Sequence, residues 1–513
     1  MATENIEDIT TTPRFIPSTR FTIALLVSFA LFTQYEQRQS LAIAIVCMVN
    51  KTSNNIKVNS TLHLEHNTTV TPSVKDTVQF FKEKTFHWNE FEQQIILGAY
   101  WAGYILTLVP GGWLSMSIGA KRVFSYCLLT SSLATLALSV IYTMADTQFL
   151  FILIVVLRII AGLGHGALFP ATYTVWVSWA VPNERGTLTA ISFSGTHVGT
   201  STMMLIGGIF CRYMNSGWMY IFILSSIVGF IWFPLWLWLV TDSPREHKKI
   251  NQIERNYICN IIGRKTNNKS GHLIALSSLP WKKIVRSKPI IALFITHSCN
   301  VFGLFFFYTN IGKILTEIHG VSTQKTGYLL AVGYIIMALC SLLSGIVSDL
   351  LVKKNIMSLT SVRKLFNSLT SFIPVICMCV LCFCDETRQI LGMGTLLVYL
   401  GSSGFGYGAG YVVNFADVVP AYSSLLFGLS ITFGSLASLS ANVLAGFLIK
   451  QPILSDWRYM FIIFMLVYTI GGLVYLAFGS AIPRKWAINV NEEHNTNIDN
   501  EASIDPSETM LKT

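Results

Sequence analysis

Apolar residues in this chain come in long unbroken stretches, unlike the alternation of a half-buried strand or the narrow stripe of a surface helix. Twelve such stretches lie near residues 21–47, 92–116, 122–143, 147–174, 187–211, 218–240, 289–315, 326–350, 363–384, 389–413, 422–449 and 458–480. Each reaches the roughly 20 residues a helix needs to cross the hydrocarbon core. No water inside a bilayer satisfies the backbone, so runs of this length predict helices, whereas a barrel would show short alternating segments. The expectation is an all-α membrane protein of two six-helix halves, residues 21–240 and 289–480. The run after Arg20 continues past the length of a signal-peptide core, without a small-residue cleavage pattern, and is read as the first transmembrane helix.

Polar segments set the orientation. Residues 241–288 hold eleven Lys and Arg against three Asp and Glu, so the positive-inside rule makes this linker cytoplasmic. An even number of helices on each side puts the tails, 1–20 and 481–513, on the same face. The tail after Arg484 is acidic and Asn-rich, and is expected to be disordered. The loop 48–91 then faces the outside or a lumen, and its sequons at Asn50, Asn59 and Asn67 are expected to carry glycans. A further match at Asn268 falls in the linker and should stay bare.

Composition narrows the function classes. The chain is 52% hydrophobic and 12% charged, against about 25% charged in a typical soluble protein. Much of the net charge of +10 sits in short loops, where it orients helices, so lipid is the expected partner and nucleic acid is not. Cys377, Cys379, Cys382 and Cys384 crowd one helix with no His or acid interleaved, which favours packing over metal. No cofactor is called for. No G-x-x-x-x-G-K-[ST] loop occurs, so any transport must run on gradients. An enzyme would show His and Asp clustered near one membrane face, and no such cluster is visible. A membrane receptor on a transporter-like scaffold is the different-class alternative.

The halves echo each other. Gly112–Arg122, after the second helix, and Gly345–Lys354, after the eighth, both run from glycine through a short helical end to a basic pair. Parallel repeats of this kind place a site at their interface near the midplane.

Charges inside apolar runs are functional candidates by default, since each costs about 2.5–3.5 kcal/mol to insert. Arg38 offers a planar fork of donors that fits carboxylate or phosphate; the bland reading pairs it with Glu36 or lets it snorkel to an interface. Arg158 is placed close to the start of its helix, either assisting coupling or bonding a neighbour's carbonyls. His165 is the coupling candidate, although a lone buried His is more often a hydrogen-bonded structural residue. The same discount applies to His197 and His297. Gly162, Gly164 and Gly166 allow a second backbone to approach, and Phe169–Pro170 should bend the helix. Tyr35, Tyr100, Tyr173, Tyr308 and Tyr334 can line a pathway, and Asn414 can reach it. Asp417 is read as capping a turn beyond the tenth helix.

Several stretches resemble the major facilitator superfamily and, within it, the anion:cation symporter family. They are His87-Trp88, Pro110-Gly-Gly112, Trp179-Ala-Val-Pro182-Asn-Glu184-Arg185, Asp242-Ser-Pro244 onward to Tyr257-Ile258, and Asn414-Phe-Ala-Asp417-Val-Val-Pro420. The similarity spans roughly residues 20 to 485, and Ser361-Val-Arg363-Lys364 leans toward the phosphate and organic-anion branch. The resemblance implies a fold of twelve helices, alternating access, and an anion bound at Arg38. Sialin-like members carry acids where this chain has Ala161 and His165, and a His where it has Tyr173. Phe415 replaces a His, and Cys299 an Arg of the glutamate branch. The expected activity is secondary transport of a small anion, phosphate, urate-like or carboxylate, with Arg38, Tyr35, Arg158, Tyr173 and Asn414 as substrate contacts. With those acids missing, sodium or membrane potential is the expected drive, and Na+ or H+ the coupling cation. The alternative is a proton-coupled sialin-like carrier of lysosomes or vesicles. A monomer in the plasma membrane is favoured.

Overall fold

The computed structural model describes residues 13–48, 86, 88, 90–140, 148–214, 216–262, 279–321, 323–450 and 453–487. Asn50, Asn59, Asn67 and Asn268 lie outside the described residues. Helix α1 (Thr19–Met48) is followed by α2 (Glu90–Ile118), α3 (Ala120–Val140), α4 (Gln148–Gly166), α5 (Leu168–Trp179), α6 (Arg185–Tyr213) and α7 (Gly217–Leu239). Two short helices, α8 (Gln252–Ile262) and α9 (Trp281–Val285), sit in the linker. The second half holds α10 (Lys288–Lys313), α11 (Thr323–Lys353), α12 (Leu359–Leu381), α13 (Gln389–Gly408), α14 (Tyr411–Val418), α15 (Ser423–Leu448) and α16 (Leu454–Phe478).

Two expected helices are each built from two pieces. The fourth pass is α4 plus α5, broken where Pro170 offers no N–H and its ring would press on the carbonyl four residues back, at Gly166. The tenth is α13 plus α14, broken at Ala409–Gly410. Broken passes at matching places in the two halves repeat the echo seen in the sequence.

By length and composition, ten passes among the described residues are apolar enough to cross a membrane. The other two, α1 and α6, have 30 and 29 residues, ample length for a crossing, but are too polar. Helix α1 carries Gln34, Glu36, Gln37, Arg38, Gln39 and Ser40 in succession around Tyr35, and α6 carries Ser192, Ser194, Thr196, His197, Thr200 and Ser201. Lipid would reject such surfaces; here they are spent on each other and on the interface between halves. Gly195 lies against the Ser28 carbonyl and Gly199 against Phe32, so the two backbones nearly touch. A disulfide, Cys47–Cys211, ties the same helices at the end facing the sequon loop. Bonds of this kind form and persist in oxidising compartments.

Candidate functional site

The packing of α2 on α4 sets the geometry of the site. A Cβ at Gly162 would strike the Tyr100 carbonyl, one at Gly166 the Tyr104 carbonyl and one at Gly103 the Ile159 carbonyl. Gly164 faces α3 instead, against Cys127 and Ser131. This close approach brings the rings of α2 over the polar groups of α4. Arg158 Cζ lies 4.9 Å from the Tyr100 ring centroid, and the Tyr100 hydroxyl is 3.0 Å from His165 Nδ1. His165 Nε2 meets Gln37 Oε1 at 3.1 Å, Gln37 Nε2 donates to Ser132 and to the Ser225 carbonyl, and Gln34 donates to the His165 carbonyl.

Arg38 stands on the same side. Its Cζ lies 4.3 Å from the Trp101 ring centroid, 5.0 Å from Tyr35 and 5.7 Å from Phe305. Trp101 and Phe305 also touch each other, at 5.6 Å between centroids, so the guanidinium sits where α1 and α2 of one half meet α10 of the other. Tyr308 stacks on Phe305, and Tyr334 packs tilted against Tyr308. Among the described residues no carboxylate lies within ion-pair distance of Arg38 or Arg158. The pairing of Arg38 with Glu36 is not what the structure contains: residues two apart on a helix diverge by about 200°, and Glu36 meets Ser225 of α7 instead. Aromatic faces offset part of the cost of burying a cation, up to about 2 kcal/mol each when desolvated. They do not satisfy its in-plane N–H donors. Two guanidinium forks, held by rings and lacking carboxylates, suit an anion.

Arg158 is buried past the middle of α4, not near its start, with Nε lacking a partner. Tyr173 is buried and donates 2.7 Å to the Val412 carbonyl of the opposite half. Asn414 is fully buried and donates to the Tyr475 hydroxyl and the Ser480 carbonyl. Asp417 does not cap a turn: it lies in α14 and pairs with Arg185 at 2.9 Å and Arg363 at 2.8 Å.

That pair belongs to a latch on the linker face. Arg185 begins α6, so its bond to Asp417 crosses between halves. In the reverse direction, Asp349 of α11 accepts from the backbone N–H groups of Gly186 and Thr187, the unsatisfied donors at the start of α6. Ser424 of α15 meets Ser115 of α2 and donates to the Pro170 carbonyl. Arg20 ties Glu184 and Glu254 to the start of α1; burial pushes the Glu184 carboxyl up, against the pull of Arg20. Asp242, likewise raised by burial, accepts from the Lys121 N–H and fixes the turn after α2, where Gly119 has φ of 93°. Two surface grooves touch neither Arg38 nor Arg158; one, of about 420 Å³, lies between Lys283, Arg286, Lys288 and Arg484 on the linker face.

Trp101, Gln34 and Gln37, and the partnership of Arg185 with Asp417, were missed in the sequence. A signal existed for the glutamines, since six polar residues interrupt α1 within about two turns; none existed for partners more than 200 positions apart.

Two six-pass halves that meet at the buried guanidinium of Arg38 have the architecture of a membrane transporter. The chain belongs to the Major Facilitator Superfamily, whose model matches residues 27–413, and within it to the anion:cation symporter family. It is 30% identical to Homo sapiens sialin over 484 residues, covering 93% of this chain and 92% of that protein. It is 31% identical to Mus musculus sodium-dependent phosphate transport protein 3 over 473 residues, 92% and 95% of the two chains. Homo sapiens vesicular glutamate transporter 2 is 30% identical over 469 residues, 91% of this chain and 75% of the relative. In fold, the chain is similar to the proton:xylose symporter XylE bound to 6-bromo-6-deoxy-D-glucose (TM-score 0.62, 14% identity, 90% and 95% coverage). It is also similar to an outward-facing bacterial homologue of ferroportin (TM-score 0.59, 13% identity, 89% and 99% coverage).

Proposed function

We propose that the chain carries a small anion by alternating access, with Arg38 as the principal ligand and Arg158 as the second cation of the site. The observation that carries this reading is the pair of carboxylate-free guanidinium groups caged by Trp101, Tyr35, Phe305 and Tyr100. The names of two relatives specify phosphate and glutamate as their cargo, which agrees with a site built for oxyanions. Tyr173 and Asn414 act as structural ties, one across the halves and one within the second. His165, fully buried with both ring nitrogens engaged, holds Tyr100 beneath Arg158.

The linker-face latch is the closed gate of one state, and its release the other. Uptake of labelled phosphate, glutamate and urate into proteoliposomes, at clamped potential with sodium and pH gradients varied separately, tests the reading. It requires at least one of these anions to accumulate in an Arg38-dependent way. Equal uptake by protein-free vesicles, or by Arg38→Ala, would remove it.

A further inference from the structure

One buried carboxyl takes no part in the anion site or the latch. Glu36 is 2% exposed. The Ser225 hydroxyl donates to its Oε1 at 3.2 Å, and Oε2 has no partner. Among the described residues no Lys, Arg or His lies within ion-pair distance of it. The elements packed on α1 bring no counter-charge to this level. Helix α7 offers the Ser225 hydroxyl and has no acid or base on its stretch from Ser225 to Leu239. His197 of α6 turns to the Tyr407 ring, and Arg185 and Arg212 sit at the ends of that helix. His165 of α4 and Tyr100 of α2 reach α1 through Gln37. Lys121 and Arg122 of α3 lie at its linker end, and Tyr173 of α5 is bonded across to Val412.

An ionised carboxylate left unpaired in such a pocket costs several kcal/mol. A protonated one is both donor and acceptor and can use Oε2. The same pocket connects to the anion site: Ser225 bonds Glu36 and Gln37, Gln37 bonds His165, and His165 bonds Tyr100 beneath Arg158. Glu36 and Arg38 are also carried on one helix.

We infer that Glu36 is the proton-binding group of the transport cycle, taking a proton from water on one side and returning it on the other. Only its O–H bond forms and breaks, and a monoanion on Arg38 then moves with no net charge. This matters because an inside-negative potential opposes entry of each negative charge. The expectation of a sodium or potential drive rested on the acids missing from α4; Glu36 removes that premise. The inference rests on the reading of Arg38 as the anion ligand.

The test compares full-length wild type and Glu36→Gln in proteoliposomes, using labelled phosphate, glutamate and urate. Counterflow without a pH gradient needs no net proton movement. Uptake driven by a one-unit pH gradient does, and for one proton per monoanion it gives about tenfold accumulation. Glu36→Gln should keep counterflow and lose accumulation, and Glu36→Asp should keep accumulation with a shifted pH dependence. A Glu36→Gln protein that still accumulates about tenfold overturns the inference, as does wild type indifferent to the pH gradient. Should Glu36→Gln not fold, an unshifted pH dependence in Glu36→Asp overturns it. Failure of the anion site itself looks different: no probe then shows Arg38-dependent counterflow. In that case the infrared carbonyl band of a protonated carboxyl, present in wild type and moved in Glu36→Asp, still decides the protonation of Glu36; its absence counts against the inference.

Discussion

The hydroxyl of Tyr100 lies 3.0 Å from Nδ1 of His165, and the same ring supports the guanidinium of Arg158 on its face. His165 therefore places a cation through a neighbour, with its second nitrogen committed to Gln37. His165→Gln, which keeps a donor and an acceptor, should retain most transport and the full response to a pH gradient. Tyr100→Phe should weaken anion affinity by roughly tenfold at most, the worth of one hydrogen bond of about 0.5–1.5 kcal/mol. Loss of pH-gradient acceleration in His165→Gln alone would make the histidine the proton carrier instead.

The latch predicts a change in exposure. Arg185→Met spares the Arg363–Asp417 pair while removing the bond between halves. Breaking a buried pair costs about 3–5 kcal/mol, here at the expense of the closed linker face. Thiol labelling of Ser424→Cys from the linker side should speed up in the Arg185→Met background. An unchanged rate would mean that Asp349 holds the face without Arg185.

Cys47 and Cys211 close a loop of 164 positions, and such a bond typically contributes about 2–4 kcal/mol. A reductant should lower the melting temperature of wild type and leave Cys47→Ser unmoved. Equal melting of oxidised and reduced wild type would show the bond to be energetically idle.

The sequon argument carries a topological prediction. Asn50, Asn59 and Asn67 should bear glycans, so the triple Gln variant should show no glycosidase-sensitive shift. A shift that persists and traces to Asn268 would invert the orientation.

Much of the fold was legible because a bilayer leaves so few options. Runs of roughly twenty apolar residues must be helices, and the charge of residues 241–288 gives them an expected direction. The runs at 21–47 and 187–211 read as apolar like the others, whereas α1 and α6 carry polar faces whose purpose depends on which helix each one faces. Gly162 and Gly166 announced a close approach without naming α2 as the partner. Arg38 stood out through the cost of a buried charge. Glu36, two positions away, was absorbed into Arg38 as its presumed counter-ion, because neighbours in sequence suggest pairing where helical geometry separates them. Asp417 was misplaced for a similar reason: Pro420 suggested a turn, and its partners Arg185 and Arg363 are distant in sequence.

Arg38 is where anion recognition is tested most directly. Equilibrium binding of labelled phosphate, glutamate and urate should be measured on purified wild type, Arg38→Lys and Arg38→Ala, matched for folding by melting temperature. A guanidinium caged by Trp101, Tyr35 and Phe305 presents a bidentate fork that an ammonium cannot reproduce. Whichever anion binds wild type should lose affinity in Arg38→Lys nearly as severely as in Arg38→Ala, by about 1.5–3 kcal/mol or roughly 10- to 150-fold. Normal binding by Arg38→Lys would show that charge alone suffices, and normal binding by Arg38→Ala would place the site elsewhere in the protein.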